Sequence, residues 1–217
     1  MNETERRQLD ADVAGCAFSH QALLAELDDL VISGDVSVTR ASLLPDWTIG
    51  HVLTHLAHNA DALAGMIDGA RLGEERLMYP SQEARNADIA DGAPRPFAEQ
   101  VDDIRRSVWR VEQAWATLDA PGWAGYGRAW IGRMPVREFP WRRWREVEAH
   151  RVDLGLGYTW EHWPADYVVA DLQRLRTHWL ADPDHTLPGD VAAASERQQL
   201  AWLLGRTSGL ASAAPSL

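Results

Sequence analysis

The sequence predicts an all-α chain: a four-helix bundle with long connections, followed by a short, mostly helical C-terminal extension. Three observations carry that prediction. Four stretches repeat their apolar residues at the three- and four-residue spacing of a single helix face. The segments between them are marked by Gly and Pro, and little of the chain reads as sheet. The 217 residues suffice for one good-sized domain with an appendage, here the bundle over residues 1–163 and the extension over 164–217.

The first helix is read over residues 4–30, where Leu9, Val13, Phe18, Leu23, Leu24 and Leu27 leave acidic residues between them. ISGDVSVTRASLLPDW follows as a connection, broken by Gly34 and Pro45. The second helix runs from Thr48 to about Gly69, with Asp46 or Trp47 near its start. RLGEERLMYPSQEARNADIADGAPRP is an ordered excursion holding a short helix around Ser81 to Ala90. FAEQVDDIRRSVWRVEQAWATL forms the third long helix, from Phe97 to about Leu118, apolar on Val101, Ile104, Val108, Val111 and Trp115. The glycines of DAPGWAGYGRAWIGRMPVREFP indicate loop or short strand. The fourth helix begins near Pro140, a first-turn position where the missing N–H costs nothing, and continues to about Gly155. Beyond it lie a helix at 166–180, a Pro/Asp break, another helix from Val191 to Leu204, and an irregular tail, ASAAPSL. Helices joined this way are the expected pattern of a bundle.

Composition narrows the function. Acidic residues number 32 and basic residues 21, a formal charge of −11, which argues against a broad phosphate-binding surface and hence against nucleic acid. The same charge offers no attraction to an anionic membrane. MNETERRQLDADV has no apolar h-region, and no run is long enough to span a bilayer, so a cytoplasmic protein is expected. Cys16 is the single cysteine, which excludes an intrachain disulfide and a cysteine-based zinc site. It reads as helix packing. Eleven Trp read either as large core residues or as the aromatic lining of a pocket or interface. Nothing fixes the oligomeric state, and a monomer or a homodimer fits.

Helical geometry singles out two clusters. In the second helix the apolar centre lies between Leu56, Leu63 and Ile67. Of His51, His55 and His58, His55 is nearest to it, about 100° away on a flank shared with Asn59 and Met66, while the other two are placed in wetter positions. In WREVEAHRVDLGLGY, Glu146, His150 and Asp153 fall within about 60° of one another on the side that carries Val147 and Leu154. Glu148, Arg151 and Val152 point elsewhere. Burying such charges is expensive unless they are paired or bound to a metal. Glu146 and His150 stand at i, i+4, a spacing that lets both side chains reach one point. With His55 they supply three ligands and leave a position open, as in catalytic zinc sites. The other reading is a His–carboxylate pair at the bundle surface beside a half-buried His55.

Three blocks, DWTIGHVLTHLAHNADAL, MYPSQEARNADIADGAPRP and REVEAHRVDLGLGY, together resemble the mycothiol-dependent maleylpyruvate isomerase family, within the DinB-like group of metal-binding four-helix bundles. AWLLGRTSG resembles a segment near the end of such proteins. The resemblance implies that His55, Glu146 and His150 hold a divalent metal, usually zinc, that His51 is not a ligand, and that Asp153 orients His150 or a bound water. It implies mycothiol as co-substrate, with a metal-bound thiolate attacking an electrophilic or anionic small molecule. Addition to the cis double bond of maleylpyruvate, rotation and loss of the thiol give the isomerase reaction, and addition without loss gives a thiol S-transferase. Tyr79, Arg85, Asn59 and Arg206 are the candidates for binding the thiol or substrate, Arg85 being the foremost cation. The characterised isomerase carries a sizeable C-terminal α/β domain, and the roughly 50 residues after the bundle are read as a shortened counterpart. A metal-dependent hydrolase on the same bundle, or a metal- and thiol-binding protein without catalysis, are the alternatives.

Overall fold

A computed structural model of the chain describes residues 1–130, 132–182 and 185–206. Among these the first unit, Met1–Leu154, contains α1 (Glu3–Ser33), α2 (Ile49–Arg71), α3 (Gln82–Gly92), α4 (Phe97–Ala116), the single turn α5 (Ala120–Trp123), a hairpin of β1 (Tyr126–Ala129) and β2 (Gly132–Pro135), and α6 (Phe139–Asp153). The second unit, Gly155–Leu217, contains α7 (Ala165–Trp179), α8 (Gly189–Ala193) and α9 (Glu196–Leu203). No helix of the described residues is long and apolar enough to cross a membrane.

The four long helices of the first unit form the bundle. α2 packs on α4, α1 packs on α6, and the α1–α4 and α2–α6 contacts close the ring. Capping residues start the helices where the sequence placed them: Asn2 with Glu5 for α1, Thr48 with His51 for α2 and Ser81 for α3, each satisfying backbone N–H groups that lack an intrahelical partner. α1 ends on Gly34 in the left-handed region, φ 71°, where the absence of a Cβ removes the strain. The interior is aliphatic, with Leu23, Leu27, Val52, Leu53, Leu56, Ile104, Val111 and Val147 at 0% exposure. Each such side chain contributes about 1.5–3 kcal/mol by leaving water. α1 and α6 approach closely at Gly15, where a Cβ would lie 2.2 Å from the Trp144 indole.

The fourth bundle helix is buried on more sides than its periodicity indicates. Glu148, Arg151 and Val152, which point away from the site face, are also buried. Ser19 Oγ donates to Glu148, and Arg151 Nη2 donates to Glu26 of α1 at 3.1 Å. A polar residue on this helix is therefore no mark of solvent, because α1 brings the partners that compensate it. The segment between α4 and α6, expected as loop or short strand, folds into the antiparallel hairpin pairing Tyr126 with Pro135 and Ala129 with Gly132. Arg128 N donates to the Arg76 carbonyl at 2.9 Å and Met78 N to the Arg128 carbonyl at 2.7 Å. These bonds draw the excursion after α2 onto the hairpin.

In the second unit the helix expected from Val191 to Leu204 is two helices. Ala194 is extended, and Ser195 with Gln198 forms a capping box that starts α9, a local hydrogen-bonding alternative that interrupts the helix. The tail ASAAPSL lies outside the described residues.

Candidate metal centre and its cavity

Thr48 caps α2, and His51 completes that cap, its Nδ1 accepting from Thr48 N at 3.2 Å. One turn later His55, 5% exposed, turns toward α6. Its Nε2 donates to Glu146 Oε2 at 2.8 Å. His150, a turn beyond Glu146, brings its own Nε2 to 3.5 Å from the same oxygen, and the two imidazoles meet edge to face at 4.7 Å between centroids. His150 Nδ1 donates to Asp153 Oδ2 at 2.8 Å, so its Nε2 carries the lone pair and faces the cluster. The structure thus brings His55, Glu146, His150 and Asp153 together, and engages His51 in the helix cap.

The protonation states follow from these contacts. Burial lowers the His55 pKa to about 4, against the opposing pull of Glu146. Burial alone would raise Glu146, but hydrogen bonds from His150 and His55 hold it well below the usual carboxylate range. Burial pulls His150 down, and the Asp153 and Glu146 carboxylates outweigh it and raise its pKa. At neutral pH this is an ionised carboxylate flanked by a neutral imidazole and by one inclined to protonate.

The cluster forms one wall of a cavity of about 560 Å³. Trp47 and Tyr79 line it with Arg85, Trp130, Arg142 and Arg145, which concentrates cations in a chain whose formal charge is −11. Trp47 follows Asp46, a non-glycine residue in the left-handed region at φ 62°, and its ring lies 5.7 Å from that of His55. Arg85, on α3, donates from Nη2 to His55 Nδ1 at 3.1 Å, and its guanidinium carbon sits 5.9 Å from the Trp47 ring and 5.8 Å from the Tyr79 ring. The Tyr79 hydroxyl is buried without a hydrogen-bond partner, and burial raises its pKa to about 12. Asn59 lines the cavity while its Oδ1 accepts from Arg143 Nη1 at 2.9 Å. Arg206 belongs to the second unit, where its Nη1 donates to the Leu204 carbonyl.

Sequence reasoning missed Trp47, Trp130, Arg142, Arg145 and the buried Arg143. For Trp47 a signal was present, since an aromatic just before a capped helix carrying candidate ligands stands at the entrance to that helix. FPWRRWRE offered none for the arginines, because nothing local distinguishes Arg142, Arg143 and Arg145 from one another. Cys16 is buried as expected, and burial raises its thiol pKa, which leaves it protonated and unreactive.

The donor set fits a divalent cation. One ligand atom from each of His55, Glu146 and His150 lies within 4.8 Å of the others. The 2.8 and 3.5 Å separations given above bracket the ~3.4 Å between donors sharing a tetrahedral ion at about 2.1 Å. Two imidazoles and a carboxylate suit zinc and its first-row neighbours, and Asp153 supplies the outer hydrogen bond typical of a ligating histidine.

An all-α bundle with this trio at one wall of a cavity is a DinB-like fold. Within that class the chain belongs to the family of the mycothiol maleylpyruvate isomerase N-terminal domain, whose profile matches residues 19–155. The crystal structure of the mycothiol-dependent maleylpyruvate isomerase is similar at 26% sequence identity, with a TM-score of 0.77 over 92% of this chain and 90% of that one. A histidine-to-alanine mutant of that isomerase is similar at 25% identity, with a TM-score of 0.76 and the same coverage. No curated protein sequence matches the chain significantly.

Proposed function

We propose that the protein is a cytoplasmic, zinc-dependent enzyme that uses mycothiol to isomerise maleylpyruvate or a closely related cis-unsaturated acid. The observation that carries this reading is the convergence of His55 Nε2 and His150 Nε2 on Glu146 Oε2 at the wall of a cavity lined by arginines. His55, Glu146 and His150 would hold the metal. When bound, a divalent ion lowers the pKa of a coordinating thiol and keeps it as thiolate at neutral pH.

The chain's own residues supply the remainder. Asp153 holds the His150 proton on Nδ1 and so keeps Nε2 directed at the cluster. Arg142, whose Nη2 donates to Glu138 at 2.8 Å, and Arg145 flank the cavity and lend it positive charge toward carboxylates. His55 accepts from Arg85 at Nδ1 only while its proton sits on Nε2. Were Nε2 to hold a metal, the imidazole proton would sit on Nδ1, and the Arg85 guanidinium would be available to an anionic group in the cavity. Trp47 and Tyr79 lie within cation–π reach of that guanidinium. Addition of the thiolate sulfur to one carbon of the cis double bond leaves a single bond, about which the chain rotates. Expulsion of the same thiolate restores the double bond as trans, with no net change in atoms.

The test combines elemental analysis of the purified chain with the ultraviolet absorbance change of maleylpyruvate, with and without mycothiol and after chelation. About one zinc per chain and turnover that needs both thiol and metal are expected. Turnover indifferent to thiol would overturn the reading in favour of a hydrolase, and thiol binding without turnover would make the chain a binding protein. Accumulation of the adduct would make it an S-transferase.

A further inference from the structure

Behind the cavity the bundle buries one guanidinium. Arg143 lies on α6 about one turn before Glu146 and has 0% exposure. Its Nη1 donates to the Leu56 carbonyl at 2.8 Å and to Asn59 Oδ1 at 2.9 Å, both on α2. Leu56 directly follows His55, and Asn59 lies one turn beyond it. The Arg143 Nε donates to His20 Nε2 of α1 at 3.1 Å. The His20 proton therefore sits on Nδ1, which donates to Glu112 Oε1 of α4 at 2.8 Å. Arg143 thus ties α6 to α2 and α1, and His20 extends the link to α4, so the nearest carboxylate in this chain of bonds is reached only through an imidazole.

A buried cation without a direct carboxylate is costly, and an apolar residue of similar volume commonly fills such a position at no loss of stability. The Nη2 of Arg143 is also buried without a partner. Packing alone does not account for this choice. What an apolar side chain cannot do is hold two acceptors of α2 at a set distance and rotation from α6. That restraint matters here because His55 and Glu146 line a cavity on one side, so packing there does not by itself set the rotation of α2 against α6. The planar fork of arginine resists both sliding and rotation of the helix it grips.

We propose that Arg143 is a positioning residue that sets where His55 Nε2 lies relative to Glu146 and His150, with His20 and Glu112 bracing its far end. The proposal rests on the reading of that trio as a metal centre. Donor atoms must be held to within about 0.5 Å for a site to function, and a guanidinium bridging the two ligand-bearing helices one turn from the ligands provides that tolerance.

The experiment uses the full chain loaded with cobalt(II), whose visible absorption reports ligand geometry, together with zinc affinity by chelator competition and thermal unfolding. Arg143→Lys keeps the charge but not the fork, and Asn59→Ala removes one gripped acceptor. Both are expected to shift the cobalt bands and to weaken zinc binding by about tenfold or more. Ser19→Ala, which removes a buried hydrogen bond between α1 and α6, should lower the melting temperature and leave the cobalt spectrum unchanged. If Arg143→Lys, or Asn59→Ala where the lysine variant does not fold, keeps the wild-type spectrum and zinc affinity within about twofold, the brace is overturned and Arg143 serves stability alone. A wild-type chain that takes up no cobalt overturns the metal reading itself, and the brace with it.

Discussion

His20 donates to Glu112 and His55 donates to Glu146, each at 2.8 Å and each from a buried imidazole. Burial brings both histidines down to about 4. Around His20 the third member is Arg143, a cation supplied by the chain. Around His55 it is His150, another lone-pair donor, and the cluster opens onto a cavity. Neither residue type nor hydrogen-bond length separates the two pairs. Each imidazole also accepts from an arginine, His20 from Arg143 and His55 from Arg85; the difference is that the Glu146 carboxylate meets a second imidazole, His150, and that this cluster opens onto a cavity. The second arrangement has the electron-pair surplus that suits a metal ion.

The largest test of this contrast removes donors from each side. His55→Ala, Glu146→Ala and His150→Ala should each weaken zinc binding beyond the ~10–100-fold typical of losing an outer hydrogen bond, while His20→Asn keeps stoichiometric metal after dialysis. Elemental analysis decides, and a His20→Asn chain that emptied as completely as His55→Ala would erase the distinction.

Acid sharpens the same contrast. The His20 pKa is depressed from 6.5 to about 4 in the folded chain, so the unfolded chain takes up a proton first as the pH falls. Stability is complete above about pH 6.5 and is lost as the pH drops toward 4, by on the order of 3 kcal/mol for this residue. Urea unfolding of wild type and His20→Asn across that window should show the variant losing less stability with acid. Parallel curves would mean that His20 is not held neutral by burial.

A smaller effect is expected from Asp153→Ala, which removes the acceptor that fixes the His150 ring and should cost about 10–100-fold in zinc affinity. The least concerns the cap one turn before His55. Thr48→Ala should lower unfolding stability by about 1 kcal/mol with metal content unchanged, as read by calorimetry beside elemental analysis.

How much of this was legible varies with the kind of signal. The long helices follow from local periodicity and caps, and Pro140 in the first turn of α6 marks its start as the sequence predicts. His55 stood out because its flank position is a property of one helix. The i, i+4 spacing of Glu146 and His150 is likewise local, and Asp153 one turn further completes a contact made within a single helix. His20 and Arg143 were not legible. An imidazole near the middle of α1 and an arginine among three in FPWRRWRE have no local feature marking them as partners across 123 residues. The burial of Glu148 was not legible for a related reason: the helix wheel describes one helix and does not include the neighbour that buries its other side.

By itself, the sequence determined the helical class, the starts of the bundle helices and the three side chains able to meet at one point, because those depend on dihedral preference, capping and the 3.6-residue turn. Only the tertiary structure decided that His55 reaches Glu146, that His51 is used in a helix cap, that arginines and tryptophans face the same cavity, and that a buried guanidinium and His20 together link all four helices. Those outcomes depend on the separation and rotation of helices distant in sequence, which are settled jointly by packing and by the pairing of buried charge.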